Sequence, residues 1–183
     1  MGGRGSGSYS STFGGQGGGG GGNTTADLPA RMNRLYNGNR MSQENTLANF
    51  KSEHLNSDTE HLLVYDDDGF VSNYRHGGTG AVSIGGIDLK GKTTVHNHPD
   101  GAWSHFSAGD LKTWASPNGE KKMVVTSKVG DYTVTKGANF NSSGFLSAVA
   151  KAKTKEKNYD IAVDTFLKAN AKKYGYTYTK KTN

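Results

Sequence analysis

The chain has 183 residues, 27 of them glycine, with no cysteine and a formal charge of +6. Without cysteine, disulfides and thiolate metal sites are excluded, and a reducing compartment fits. No apolar run reaches the length of a membrane-spanning helix and no hydrophobic leader opens the sequence, so a cytoplasmic protein with no membrane attachment is expected.

Residues 1–25 are low in complexity and rich in glycine, with no apolar periodicity to repay ordering, so a disordered tail is expected. The stretch lacks the G-K-[ST] ending of a phosphate-binding loop. Residues 26–54 read as accessory helices. Met32, Leu35 and Tyr36 keep helical spacing, Asn37-Gly38-Asn39 interrupts it, and Ser42-Gln43-Glu44-Asn45 opens a second helix through Phe50. The main domain is placed at 55–183. Glu60 to Tyr65 and Phe70 to Arg75 form a hairpin around Asp67-Asp68-Gly69. A loop at 76–80 leads to a short strand over Ala81 to Ile84, and a further strand begins at Lys92. A helix follows from Ser107 to Ala115, then a second hairpin from Lys122 to Ser127 and Tyr132 to Lys136. Two helices close the domain, Ser143 to Lys155 and Tyr159 to Lys173, before an alternating Tyr-rich segment that suits an edge strand. Helices and hairpins in mixed order predict an α+β (mixed α/β) fold.

Chemistry concentrates in Thr93-Thr94-Val95-His96-Asn97-His98-Pro99 and Phe106-Ser107-Ala108-Gly109-Asp110. Side chains alternate along a strand, so His96 and His98 share a face and Asn97 points the other way, and Pro99 ends the strand. Ser107-x-x-Asp110 precedes Leu111 as the first turn of a helix, where Asp110 can join the two imidazoles. Two histidines and an aspartate leave a fourth position open, the arrangement of catalytic rather than structural zinc. The same S-x-x-D is also a helix-capping box, and the two roles are compatible. Asp66-Asp67-Asp68 lacks the later ligands of a calcium loop and reads as a hairpin turn. The adjacent letters His96-Asn97-His98 are not the dispersed set of an HNH nuclease.

The phrase H-x-H-P followed by S-x-x-D resembles the JAB/MPN metallopeptidases and their JAMM motif, through His96, His98, Ser107 and Asp110. The stretch from Glu60-His61-Leu62-Leu63-Val64-Tyr65-Asp66 onward is similar to JAB-type domains of bacterial and phage proteins, over roughly residues 55–136. Eleven residues separate His98 from Asp110, against ten in the common family spacing. The resemblance implies a cytidine-deaminase-like central mixed sheet flanked by helices. It implies Zn²⁺ on His96, His98 and Asp110, with Glu60 as general base and Ser107 steadying the oxyanion. It also implies amide hydrolysis of a protein or peptide substrate, in a bacterial cytosol or in association with phage. Glu53 is a rival base and His105 a substitute ligand, while His54 and His61 read as surface residues.

Two other functions remain open. One is a non-catalytic binding or phage-assembly module of the same fold. The other is nucleic-acid binding through the lysines of the C-terminal part, among them Lys151, Lys168, Lys172, Lys173, Lys180 and Lys181, which read equally as a solvated helix surface.

Overall fold

Apolar and β-branched runs of five to seven residues pair into one six-stranded sheet. The structure, a computed structural model, describes residues 42–152 and 158–183. The expected Gly-rich tail, the helix around Met32 and Tyr36, and the last turn of the Ser143–Lys155 helix lie outside the described residues. The strands are β1 (His61–Tyr65), β2 (Val71–His76), β3 (Thr93–Asn97), β4 (Lys122–Thr126), β5 (Gly130–Lys136) and β6 (Tyr176–Thr182). Their order is β2-β1-β3-β4-β5-β6. All neighbours run antiparallel except β3 and β4, which are parallel. A parallel pair needs a crossover. Here it is the segment holding helix α2 (Ala108–Ala115). The remaining helices are α1 (Gln43–His54), α3 (Ser142–Lys151) and α4 (Tyr159–Tyr174). This is the mixed α+β class that the sequence predicts.

Local chemistry sets the turns. In the first hairpin the Asp66 carboxylate accepts the amides of Asp68 (3.0 Å) and Phe70 (2.9 Å), and Gly69 takes a left-handed φ of 77°. At the end of α4, Gly175 adopts φ 73° and its amide reaches back to the Ala171 carbonyl at 2.9 Å, so the chain reverses at once into β6. That strand lies at the sheet edge, as the Tyr-rich alternation suggests.

Register divides the residues between two faces. Leu63, Tyr65, Val95 and Val124 meet Phe50 of α1 on one side. Met123, Val125, Tyr132 and Val134 meet Leu111, Trp114, Phe145, Val149, Val163 and Leu167 of the other three helices on the opposite side. Every residue of β3 is buried, as a strand covered on both faces must be. The short strand expected over Ala81 to Ile84 does not form. Val82, Ile84 and Ile87 instead pack over Leu62, Val64 and Leu89. The segment crosses the sheet face rather than joining its edge, and Gly86, at φ 75°, turns it. Helix α1 runs a turn beyond Phe50, because His54 is also buried against the sheet.

Candidate metal centre

The C-terminal end of β3 carries His96, and the chain stays extended for one more residue because the His98 amide donates to the Thr126 carbonyl of β4 at 2.9 Å. His96 pairs with Leu62 and Val125 across the sheet, which fixes its face as the one covered by α2. Helix α2 begins just beyond Ser107. The Ser107 Oγ accepts the Asp110 amide at 3.1 Å, and the Asp110 carboxylate accepts the Ser107 amide at 2.7 Å. The capping box is therefore complete, and its second bond aims the Asp110 carboxylate back along the helix start.

The three side chains converge. His96 Nε2 lies 3.2 Å from His98 Nε2. Asp110 Oδ1 is 3.4 Å from His96 Nε2, and Oδ2 is 3.6 Å from His98 Nε2. A tetrahedral zinc ion with Zn–N and Zn–O bonds of about 2.0–2.1 Å separates its ligand atoms by roughly 3.3 Å. The spacing of this group is thus that of ligands around one small ion, and His96, His98 and Asp110 could hold one. The imidazoles are nearly buried, while the Asp110 side chain keeps 20% of its surface exposed, so the centre opens to solvent on the helix side.

Surrounding contacts hold the ligands still. His98 Nδ1 donates to the Trp103 carbonyl at 2.8 Å, which leaves the Nε2 lone pair facing the centre. The loop that carries Trp103 is tied to the start of α4. Asp160 accepts the amides of Ser104 (3.3 Å) and His105 (3.1 Å), the Tyr159 hydroxyl donates to the Phe106 carbonyl (3.1 Å), and Trp103 stacks on Tyr159 with ring centroids 4.0 Å apart. The eleven residues between His98 and Asp110 are thus held in an anchored loop. His105 is not a substitute ligand. Its Nδ1 accepts the Phe106 amide at 2.8 Å and its Nε2 meets the Tyr178 hydroxyl at 2.7 Å, so both nitrogens are committed elsewhere.

The charges of the group are strongly coupled. Burial by itself depresses the His96 imidazolium, but the carboxylates of Asp110, Glu60 and Glu120 outweigh it and hold its pKa up at about 8. Burial likewise opposes ionisation of Asp110, yet the neighbouring imidazoles of His96 and His98 carry its pKa well below the ordinary carboxylate value. Asp110 thus favours a proton on the His96 imidazole, and a metal binding at His96 Nε2 would displace that proton.

Glu60 lies just before β1 and is 6% exposed. Burial raises its carboxyl pKa, partly offset by the fields of His96 and His98, with Asp110 adding to the rise. Glu60 is thus buried within electrostatic reach of all three candidate ligands. Glu53 sits on α1, which packs on the opposite face of the sheet through Phe50. That placement removes it as a rival base. Glu120 has no motif around it that would single it out. It is 1% exposed, accepts the Thr94 hydroxyl at 2.9 Å, and adds to the field that raises His96.

His54 and His61 are not surface residues. His54 is buried on the far face and stacks on the half-buried His61 with ring centroids 4.1 Å apart. His61 bonds to the Tyr74 hydroxyl at 2.7 Å and the Ser57 hydroxyl at 2.8 Å. The pairing of His61 with His76 places both on the side opposite His96. Compared with protein-family models, curated proteins and solved structures, the chain matches none.

Proposed function

We propose that the protein is a zinc-dependent hydrolase of amide bonds, a peptidase or isopeptidase of the JAB/MPN type. The observation that carries this reading is the preformed spacing of His96, His98 and Asp110, with the buried carboxyl of Glu60 coupled to all three. The six-stranded mixed sheet with helices on both faces is the class of fold that the resemblance implies. When bound, zinc would supply Lewis acidity, making a water more acidic and polarising the carbonyl of the scissile amide.

The remaining work falls to the chain. The Glu60 carboxylate accepts a proton from water and passes it to the leaving nitrogen, and burial, by raising its pKa, makes it a stronger base than an exposed carboxylate. The Ser107 oxygen accepts the Asp110 amide, and its hydroxyl keeps a proton that it can donate to the oxyanion developing on the attacked carbonyl. Trp103 and the α2 cap hold His98 and Asp110 in place throughout. The substrate in this reading is a protein or peptide, in a bacterial cytosol or associated with phage. No helix among the described residues is long and apolar enough to cross a membrane.

The reading is tested with the zinc-loaded full chain against a panel of internally quenched peptides and isopeptide-linked lysine substrates. Glu60→Gln should keep its zinc and lose hydrolysis by on the order of a hundredfold or more. Equal turnover by the variant would remove Glu60 from the reaction.

A further inference from the structure

Between the two histidines stands Asn97, fully buried and pointing away from the candidate centre. Its side chain makes two hydrogen bonds to the backbone around Glu60. The His61 amide donates to Asn97 Oδ1 at 2.7 Å, and Asn97 Nδ2 donates to the Thr59 carbonyl at 2.9 Å. The two groups belong to the peptide units on either side of Glu60. The β1–β3 ladder begins only at Leu62 and His96, so one side-chain amide takes over where backbone pairing has not yet started. On the other side of the same residue, the Glu60 amide donates to the Gly78 carbonyl at 2.8 Å, and the Glu60 carbonyl accepts the Gly77 amide at 2.8 Å. Close approach there is obligatory, since a Cβ on Gly77 would lie 2.2 Å from the Ala81 carbonyl oxygen.

We propose that Asn97 is a positioning residue that fixes Glu60 against the metal centre, so that the tripeptide His96-Asn97-His98 supplies two ligands from one face and the anchor of the base from the other. This inference rests on the assignment of Glu60 as the base. The chemistry asks for asparagine in particular. The position needs an acceptor and a donor on separate atoms that reach the two peptide units flanking Glu60, which aspartate, with no donor, and alanine, with neither, fail to provide in full. Because Asn97 lies between His96 and His98 on one extended segment, a shift of either histidine carries the base with it. The relative placement of base and ion is then set by one short segment rather than by two independent elements.

The test uses cobalt(II) as the metal probe in the full chain, read by its visible spectrum. Cobalt affinity and the pH midpoint of the spectrum are measured for wild type, Glu60→Gln, Asn97→Ala, Asn97→Asp and the Glu60→Gln/Asn97→Ala double variant. The midpoint reports how the groups around the ion hold a proton. We expect Glu60→Gln to move it, and Asn97→Ala to move it the same way by at least half as much, with cobalt still bound because none of the three candidate ligands is replaced. The double variant should move no further than Glu60→Gln alone. Asn97→Asp, which keeps the acceptor for the His61 amide, should fall between wild type and Asn97→Ala, and it serves if the alanine variant does not fold. Amide exchange at His61 should accelerate in Asn97→Ala. A wild-type midpoint in Asn97→Ala and Asn97→Asp, alongside a shifted one in Glu60→Gln, would overturn the inference and leave the base assignment standing. A midpoint unmoved by Glu60→Gln would overturn the base assignment, and the inference with it. Failure of the wild type to bind cobalt would overturn the metal centre itself.

Discussion

His96 and Asp110 oppose each other as imidazolium and carboxylate, and that opposition sets how the centre must respond to pH. A metal can take His96 Nε2 only after its proton leaves, and that proton is held up to about pH 8. Zinc affinity should therefore be constant above about pH 8 and fall about tenfold per unit below it for this one displaced proton. Isothermal titration across the range measures the slope, and a flat profile from pH 6 to 8 would show that His96 is not displaced. The grouping of the three candidate ligands was legible in the sequence because its geometry is local. Alternation puts His96 and His98 on one face, and a helix start puts Asp110 within its first turn. Glu120, Asp160 and the Trp103 carbonyl were not legible, because each acts through a tertiary contact that no spacing announces. Asn97 stands between these cases. Its direction follows from the strand, but the backbone it grips depends on how β1 enters the sheet.

At the scale of elements, α2 carries two functions in its first turn. The Ser107 hydroxyl caps the helix, and the Ser107 amide holds the Asp110 carboxylate. Ser107→Ala removes only the first of these contacts. Urea denaturation of the variant should show a loss of about 1 kcal/mol, the usual cost of an N-cap. Zinc binding should survive, because the backbone amide still donates, while hydrolysis should drop by roughly two orders of magnitude with the oxyanion donor gone. Loss of zinc together with the cap would mean that the hydroxyl, rather than the amide, fixes Asp110. The hairpins and the terminal edge strand were readable from alternation and from Asp-Gly turn chemistry. The segment 81–84 has the apolar content of a strand, but it spends that content covering Leu62 and Val64. Apolar composition alone does not distinguish a strand from a loop that lies across one.

Across the whole molecule, three histidines are held neutral by burial. His54 and His105 have pKa values lowered to about 3, and His61 is lowered to about 4. Each regains an ordinary pKa near 6.5 on unfolding, so the unfolded chain binds more protons as pH falls below that value, and stability is lost progressively toward pH 4 and below. Asp110, with its lowered pKa, adds a loss in the same direction at still lower pH. Glu60 and Glu120, raised by burial, act the other way, since protonation relieves their buried charge. His96, raised, contributes stability below pH 6.5 that disappears as pH rises through about 8. The melting temperature of the metal-free protein should therefore be highest near pH 6.5, decline as pH rises through about 8, and fall on the acid side by about pH 5. In His54→Phe, which keeps an aromatic ring against Phe50 and His61, the acid-side fall should be smaller. An identical fall in wild type and variant would show that His54 does not carry it.

Zinc titration of the purified full chain decides whether His96, His98 and Asp110 form one metal site. With His98→Ala and Asp110→Ala measured beside the wild type, about one zinc should bind per wild-type chain, and most of that binding should be lost in either variant. A wild-type chain that takes up no zinc, or variants that bind it as the wild type does, would contradict that assignment.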